Sequence, residues 1–438
     1  MAGSRKKQPD LLPGLLADWP QAVSGSLEVG LSGGLDSMVL LDLMWRSRGE
    51  RHIHLSAVHV NHGLSENDGA WAAHCRTWCE RLDVPLRIEA VSVRVGGGES
   101  LEAVARAERY AVYRRSLART VVLAHHQDDQ AETVLLQLLR GGGPHALAAM
   151  PVLREFEDKL LWRPLLGLSR PDLEAYAQWR GLKWVFDESN DDTALRRNFL
   201  RHDIIPLLAS AIPDYRSHLE RTAALMAQAV DILDEVAAQD LAHCLQQGRL
   251  RLPRLAALSS ARQRQLLVRW IAQSRLGEAS PDAIEEFRLQ LHTAGEDRCP
   301  LLDLPAGALF RYRDQVWVEH KPLSVLPLTQ HIESAAPGVC DVQGGVLTFC
   351  DDVRGIDPAL LRQGFELRVR QGGERLHQSI GAKAVKTLLQ EAGIPPRLRA
   401  RWPLLYLPDG RLAAVPSIAV ATDCCCDAGG YWPLWNPD

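Results

Sequence analysis

The sequence predicts an α/β protein: an N-terminal domain on a mostly parallel sheet, then a helical middle domain and a small α+β C-terminal domain. Three observations predict it. Strand and helix signals alternate from residue 27 to about 190, a Gly/Ser-rich turn at 32–37 joins a strand to a helix, and after Pro206 apolar residues recur at helical spacing. The expected domains are 1–206, 207–324 and 325–438. A chain of 438 residues, 46% hydrophobic and 24% charged, is long enough for two or three ordinary cores.

Leu27–Leu31 reads as a short buried strand and Met38–Met44 as a helix. Ile53–Val60 alternates into a strand, Trp71–Arg81 reads as a helix, and Leu86–Val93 is a strand entered through Pro85. Glu99–Leu117 is a helix with Ser100 near its start, Thr120–Ala124 an apolar strand, and Asp129–Arg140 a helix stopped by Gly141-Gly142-Gly143-Pro144. Leu219, Met226, Val230 and Leu233 mark the helical stretch, which runs to about Ala272. Beyond a loop rich in Pro, Ser and Ala (Lys321–Pro337), Val346–Phe349 and Phe365–Arg370 read as strands and Lys383–Ala392 as a helix ended by Gly393. Leu404–Leu407 and Leu412–Val415 form a hairpin about Pro408-Asp409-Gly410.

Composition excludes several classes. No apolar run spans a membrane, and Leu11–Trp19 is broken by Pro13, Gly14 and Asp18, so no signal-peptide core follows the basic N-terminus. The expected location is the cytoplasm, where nine irregularly spaced cysteines are free thiols. Cys424-Cys425-Cys426 has no chemical account. A net charge of −4 gives no basic overall field, so an RNA partner needs local patches.

Ser32-Gly33-Gly34-Leu35-Asp36-Ser37 sits where a parallel sheet binds ligands, at a strand's carboxyl end and a helix N-terminus. Glycines let the backbone approach an anion, and the two serines add hydroxyls. Asp36 suits a phosphate site only with a cation such as Mg²⁺ between them. The chain lacks a Gly-Lys dipeptide and a G-x-G-x-x-G pattern, which excludes two better-known phosphate loops. His59-Val60-Asn61-His62-Gly63-Leu64 lies at a second strand end, and His125-His126-Gln127-Asp128-Asp129 at a third. Helical spacing lets Asp128, Asp129 and Glu132 share one face, where they would hold a cation or simply favour a helix start. Arg106 and Arg109 fall one turn apart, as phosphate contacts or as a solvated face. Trp162-Arg163-Pro164-Leu165-Leu166, Asp187–Asp192 and Arg197-Asn198-Phe199-Leu200-Arg201 complete the series, with Asn198 and Arg201 on one helix face.

In this order the motifs resemble the PP-loop ATP pyrophosphatases, an adenine nucleotide alpha hydrolase-like fold, and within them the tRNA(Ile)-lysidine synthetase branch. The resemblance is dense over 27 to about 202 and resumes from Arg370 to Pro416; Ser65 and Glu188 depart from it beside motifs. It implies ligation of lysine to C2 of the wobble cytidine in the CAU-anticodon isoleucine tRNA, through an adenylated cytidine, releasing pyrophosphate and AMP. Ser32–Ser37 and His62 would then hold ATP, with Asp36 on Mg²⁺ and Arg106 or Arg109 facing phosphate charge. Asp129 and Glu132 would position L-lysine, with Arg109, Asn198 and Arg201 also at the substrate, and Asp128 or a histidine would take the proton. Arg368, Arg370, Arg375, Lys383, Lys386, Arg397, Arg399 and Arg401, interleaved with Trp402 and Tyr406, would contact tRNA. A homodimer is compatible with this reading.

The competing readings are a PP-loop tRNA thiolation enzyme, a non-catalytic ATP-sensing RNA-binding protein, and a small-molecule amidating synthetase. Thiolation is disfavoured by the absence of any C-x-x-C; Cys75 and Cys79 are spaced C-x₃-C. A zinc site at His59, His62, His74 and Cys75 fits no common spacing.

Overall fold

The computed structural model describes residues 9–437, except 95, 97–99, 194, 296–297, 322–328, 333–337, 343–344 and 427–428. The chain divides into two compact units, Met1–Ile232 and Leu233–Asp438. The expected boundary at 206 falls within the first unit. The one at 324, with most of the loop Lys321–Pro337, lies outside the described residues.

In the first unit, α1 (Leu12–Ala17) leads to β1 (Ser26–Gly30), α2 (Leu35–Arg51), β2 (His54–Asn61), α3 (Asp68–Leu82), β3 (Leu86–Ala90), α4 (Leu101–Arg114), β4 (Thr120–Val122) and α5 (Gln127–Leu139). From β1 to α5 these are the elements the alternating pattern predicts, with ends shifted by a few residues; α1 lies before that pattern and is not among them. The short α6 (Pro144–Leu147) precedes a hairpin, β5 (Leu153–Phe156) and β6 (Lys159–Trp162), which the sequence reading does not contain, and then α7 (Arg170–Arg180). The sheet order is β3-β2-β1-β4-β6-β5, parallel throughout except for the edge strand β5. The chain winds one way from β1 to β3 and then crosses to β4, so the switch point lies between β1 and β4. α2 is buried along most of its length, Leu35 through Met44, and its core includes Leu27, Val29, Leu40 and Trp162. Burial of this kind, at about 25 cal/mol per Å² of apolar surface, fixes the strand ends that carry the motifs.

The unit closes with α8 (Arg196–Phe199), a π-helical turn at Leu200–Ile204, and α9 (Ile205–Ala211); α10 (Tyr215–Cys244) then carries the chain into the second unit. Ile205 and Tyr215 pack with Ala131, fixing this segment against α5.

The second unit begins with β7 (Leu245–Gln246), β8 (Arg249–Arg251), α11 (Leu252–Ala256), α12 (Ser260–Gln273), α13 (Pro281–Thr293), β9 (Leu301–Leu304), β10 (Gly307–Tyr312) and β11 (Gln315–His320). Its antiparallel sheet, β7-β8-β11-β10-β9, is absent from the expected helical middle; the helices α12 and α13 share a core with it through Trp270, Phe287, Leu309 and Val316. The C-terminal part is β-rich, as an α+β reading allows. It comprises β12 (Thr329–Ile332), β13 (Gly338–Val342), β14 (Gly345–Asp352), α14 (Pro358–Leu361), β15 (Phe365–Val369), β16 (Arg375–Gln378), β17 (Gly381–Ala384), α15 (Val385–Glu391), α16 (Pro396–Arg399), β18 (Pro403–Tyr406), β19 (Leu412–Val415), β20 (Ala419–Val420) and β21 (Gly430–Pro437). The helix expected from Lys383 starts at Val385, because Lys383 pairs with Leu376 in the hairpin β16–β17. Among the described residues, no helix is long and apolar enough to cross a membrane.

Candidate functional site

The loop after β1 is knitted by its own serines. Ser37 Oγ accepts from the Gly33 N–H (3.1 Å) and from Ser32 Oγ (3.1 Å), and donates to the Gly34 carbonyl (2.9 Å). Gly33 has φ +88°, and a Cβ there would lie 3.1 Å from both Cys75 Sγ and Val185 Cγ2. The Val185 N–H binds the Gly33 carbonyl (3.0 Å), so the segment after α7 straps the loop from outside. Gly34 caps α2, and Leu35 is buried as the loop's anchor.

Asp36 points from the first turn of α2 to Arg170, whose Nη1 donates to both carboxylate oxygens (2.8 and 3.0 Å). Burial pushes the Asp36 carboxyl up, against the pull of His126 and Arg170. Arg170 was not anticipated. Its signal was present: Ser169 and Asp172 form a capping box around it, Pro171 follows, and Gly181 ends α7 in the left-handed region.

His126 caps α5. Its Nδ1 accepts the Asp128 N–H (3.2 Å), which leaves the proton on Nε2. That nitrogen lies 3.7 Å from Asp36 Oδ2 and 3.6 Å from Asp129 Oδ2, so the loop after β1 and the helix after β4 meet at this ring. Asp129 completes the cap by accepting the His126 N–H (3.0 Å).

The acidic pair already holds cations. Glu132 is fully buried; its oxygens accept from Arg201 Nε (2.6 Å), Arg197 Nε (2.7 Å) and Arg201 Nη2 (3.0 Å). Asp129 Oδ1 accepts from Arg197 Nη2 (3.1 Å) and Arg201 Nη2 (3.5 Å). Burial alone would raise the Asp129 carboxyl, but the neighbouring His126 and Arg197 hold it well below the usual carboxylate range. The expectation that three carboxylates share a face needs correction. Asp128 turns away to Arg216 Nε and the Arg170 N–H (3.1 Å), because it also caps the start of α7. Arg197, unassigned in the sequence reading, contributes as much as Arg201, and Asn198 instead donates to the Asp192 carbonyl (2.9 Å).

His62 Nε2 lies 3.3 Å from Arg109 Nη2, and burial and that guanidinium push the imidazole down to about 4, so it stays neutral. Arg106 lies over the Tyr110 ring at 4.9 Å. Burial pushes the Cys75 and Cys79 thiols up to about 12 and 11, which keeps them protonated and unsuited to sulfur or metal chemistry. Among the described residues no group of three or more His, Cys, Asp or Glu could hold a metal alone. His59 Nδ1 takes the Leu31 carbonyl and His74 Nε2 the Lys183 carbonyl, so the zinc reading has no cluster to rest on. Among the described residues no two cysteines are joined by a disulfide.

In the second unit several expected tRNA contacts are engaged. Arg397 Nε (2.9 Å) and Arg401 Nη1 (3.2 Å) both bind Glu319, and Arg399 binds the Ile394 carbonyl and the Tyr312 hydroxyl. Lys383 pairs with Glu391 (2.6 Å), Arg370 with Glu374 (3.4 Å), and Arg375 with the Ala382 carbonyl; Lys386 is exposed. Trp402 is buried and donates to the Pro416 carbonyl, so it belongs to the core and not to an RNA-facing surface; Arg368 covers Tyr406 at 4.4 Å.

Residues 14–208 match the family profile described as a PP-loop domain, 250–317 the TilS substrate binding domain, and 365–432 the TilS substrate C-terminal domain. A tRNA(Ile)-lysidine synthase of Chromobacterium violaceum is 52% identical, covering 97% of this chain and 98% of its own. Another, of Pseudomonas aeruginosa, is 41% identical over 96% and 95%. A crystal structure titled as a TILS C-terminal domain aligns with 25% of this chain and 97% of its own, at 22% identity and a TM-score of 0.21. A phosphate loop at the sheet's switch point, an acidic helix facing it and near full-length relatives therefore agree: the chain belongs to the tRNA(Ile)-lysidine synthase family, a family of ligases.

Proposed function

We propose that this protein ligates L-lysine to C2 of the wobble cytidine of the isoleucine tRNA with a CAU anticodon, at the expense of ATP. The observation that supports it best is the convergence of Asp36, His126 and Asp129, which brings the phosphate loop within one imidazole of the acidic pair. The cytosine C2 carbonyl is a poor electrophile. Its oxygen attacks the α-phosphate of ATP, pyrophosphate leaves, and the adenylated cytidine now carries AMP as a leaving group. The lysine ε-amine then adds to C2 and AMP departs.

Backbone N–H groups of the loop and the start of α2 bind the phosphates. Arg109, resting on neutral His62, or Arg106 offsets charge developing at the α-phosphate. Asp36 offers a hard oxygen beside the loop and already draws a cation, Arg170; since no group of three or more such ligands among the described residues could hold a metal alone, it fits a Mg²⁺ ion that arrives with the nucleotide. Such an ion would neutralise phosphate charge.

Lysine has a pKa of about 10.4, so deprotonating it at pH 7 costs about 4–5 kcal/mol. Asp129 and Glu132 position the ammonium by exchanging it for a guanidinium of Arg197 or Arg201. A carboxylate alone would raise the amine pKa further, so Asp128 or His125, whose Nδ1 has no partner, accepts the proton. Location in the cytoplasm and assembly as a homodimer complete this reading.

The experiment incubates the protein with ATP, labelled lysine and an unmodified transcript of that tRNA. Label should enter the RNA, with one AMP and one pyrophosphate released per lysine, only when the wobble base is cytidine. Label entering a uridine-34 transcript equally, or AMP release without lysine, would end the proposal.

A further inference from the structure

A second concentration of positive charge lies at the carboxyl ends of β4 and β6, beside the phosphate loop. Arg163 directly follows β6 and is 2% exposed. Its Nη1 donates to the Pro151 carbonyl (2.8 Å), and its Nε has no partner. The Tyr110 hydroxyl takes Arg106 Nη2 at 3.1 Å and stands close enough to Arg163 to favour its charge. Arg154, exposed on β5, lies 6.0 Å from the same ring. Among the described residues none of these three arginines forms an ion pair with a carboxylate. Beside them, His125 after β4 is a second buried group whose Nδ1 has no partner.

A buried guanidinium without a counter-charge is costly, and in most folds a carboxylate covers it. Here none does, and two orphaned nitrogens sit at adjacent strand ends, where ligands of parallel sheets bind. The missing component is an oxyanion. The site lies two strands from β1, about 10 Å at about 4.8 Å per strand, so it is beside the phosphate loop and not part of it. That separation leaves room for a nucleoside, with its base toward the loop and its phosphate toward β6.

We propose that Arg163 and Arg154, gathered on Tyr110 with Arg106 on the loop side, bind a phosphodiester of the RNA strand that presents the target cytidine. This rests on the proposed function and adds the grip on the strand that the loop and the acidic pair lack. Guanidinium forks match phosphate oxygens in pairs, and burial strengthens each bond. A phosphate of ATP is the other source of the same oxyanion.

The test uses the full-length protein and the variants Arg163→Met and Arg154→Gln, with the tRNA transcript and ATP as separate probes. Each variant should weaken tRNA binding roughly five- to tenfold and reduce the slope of log affinity against log salt by about 0.7–0.9. ATP affinity should stay within twofold of wild type. Loss of ATP affinity with an unchanged tRNA salt slope would assign the arginines to the nucleotide and overturn the proposal; so would two unchanged affinities. If Arg163→Met does not fold, Arg154→Gln decides alone, because that side chain is exposed. Wild-type protein that bound no tRNA would overturn the proposed function; wild-type binding with Arg154→Gln unchanged would overturn this inference only.

Discussion

Replacing Glu132 by glutamine keeps the shape and removes the charge that holds two guanidiniums. Glu132 makes three bonds of 2.6–3.0 Å to Arg197 and Arg201 and has no access to water. Charge-assisted bonds contribute about 1.5–3 kcal/mol each, and breaking a buried pair from one side costs about 3–5 kcal/mol. The two arginine side chains keep 22% and 35% of their exposure, so water recovers part of that loss. The amide oxygen still accepts one bond, which leaves a net destabilisation of about 2–3 kcal/mol. At roughly 2–4 °C per kcal/mol for a unit of this size, Tm should fall by about 5–10 °C, read by thermal unfolding of the full chain. The same variant should raise the KM for lysine far more than it slows ATP–pyrophosphate exchange. A Tm within about 1 °C of wild type would refute the structural argument, and equal losses in lysine use and exchange would refute the assigned roles.

Gly33→Ala should destabilise the first unit by about 1–2 kcal/mol, from the positive φ and the close approach of Cys75 and Val185, and should abolish ATP binding; ATP protection in a thermal shift checks it. His62 titrates near 4 in the folded chain against about 6.5 unfolded, so the unfolded state binds the extra proton between those values. Its contribution is therefore complete above about pH 6.5 and is lost as pH falls toward 4; His62→Asn should flatten that part of the stability–pH curve, and an unchanged curve would refute the shift. Lys386→Glu, at an exposed position, should weaken tRNA binding without changing Tm by more than about 1 °C, measured by filter binding and thermal unfolding. Ending the chain near residue 325 should cost tRNA affinity while ATP binding survives, because the loop and the acidic helix both lie within Met1–Ile232.

The parallel sheet was legible because each of its first four strands is followed by a helical stretch, and β1 and β4 are short and buried. The β5–β6 hairpin escaped because its turn is Glu157-Asp158, without the Gly or Asn that usually marks one; Glu157 takes φ +56° regardless. The middle sheet escaped similarly, since Arg313 supplies the positive φ at the turn between β10 and β11. At the site, the motifs named Asp36, Asp129 and Glu132 but not Arg170 and Arg197, the guanidiniums that the structure sets against them. Arg197 and Arg201 converge on Glu132 across an α-to-π transition, a local departure that period-counting cannot see. The basic C-terminal residues were legible as charge only. Their pairing with Glu319, Glu374 and Glu391 is a matter of tertiary position.

Cys75 gives the loop after β1 a chemical reporter. Its sulfur is wholly inaccessible and lies directly beneath Gly33, with the His59 ring at 3.6 Å. A thiol reagent can reach it only when α3 parts from the loop, so the labelling rate measures how often the nucleotide cradle comes open. Any ligand that braces the Gly33 backbone slows that opening in proportion to its occupancy. A natural cysteine thus lets the cradle's breathing be timed without an attached probe.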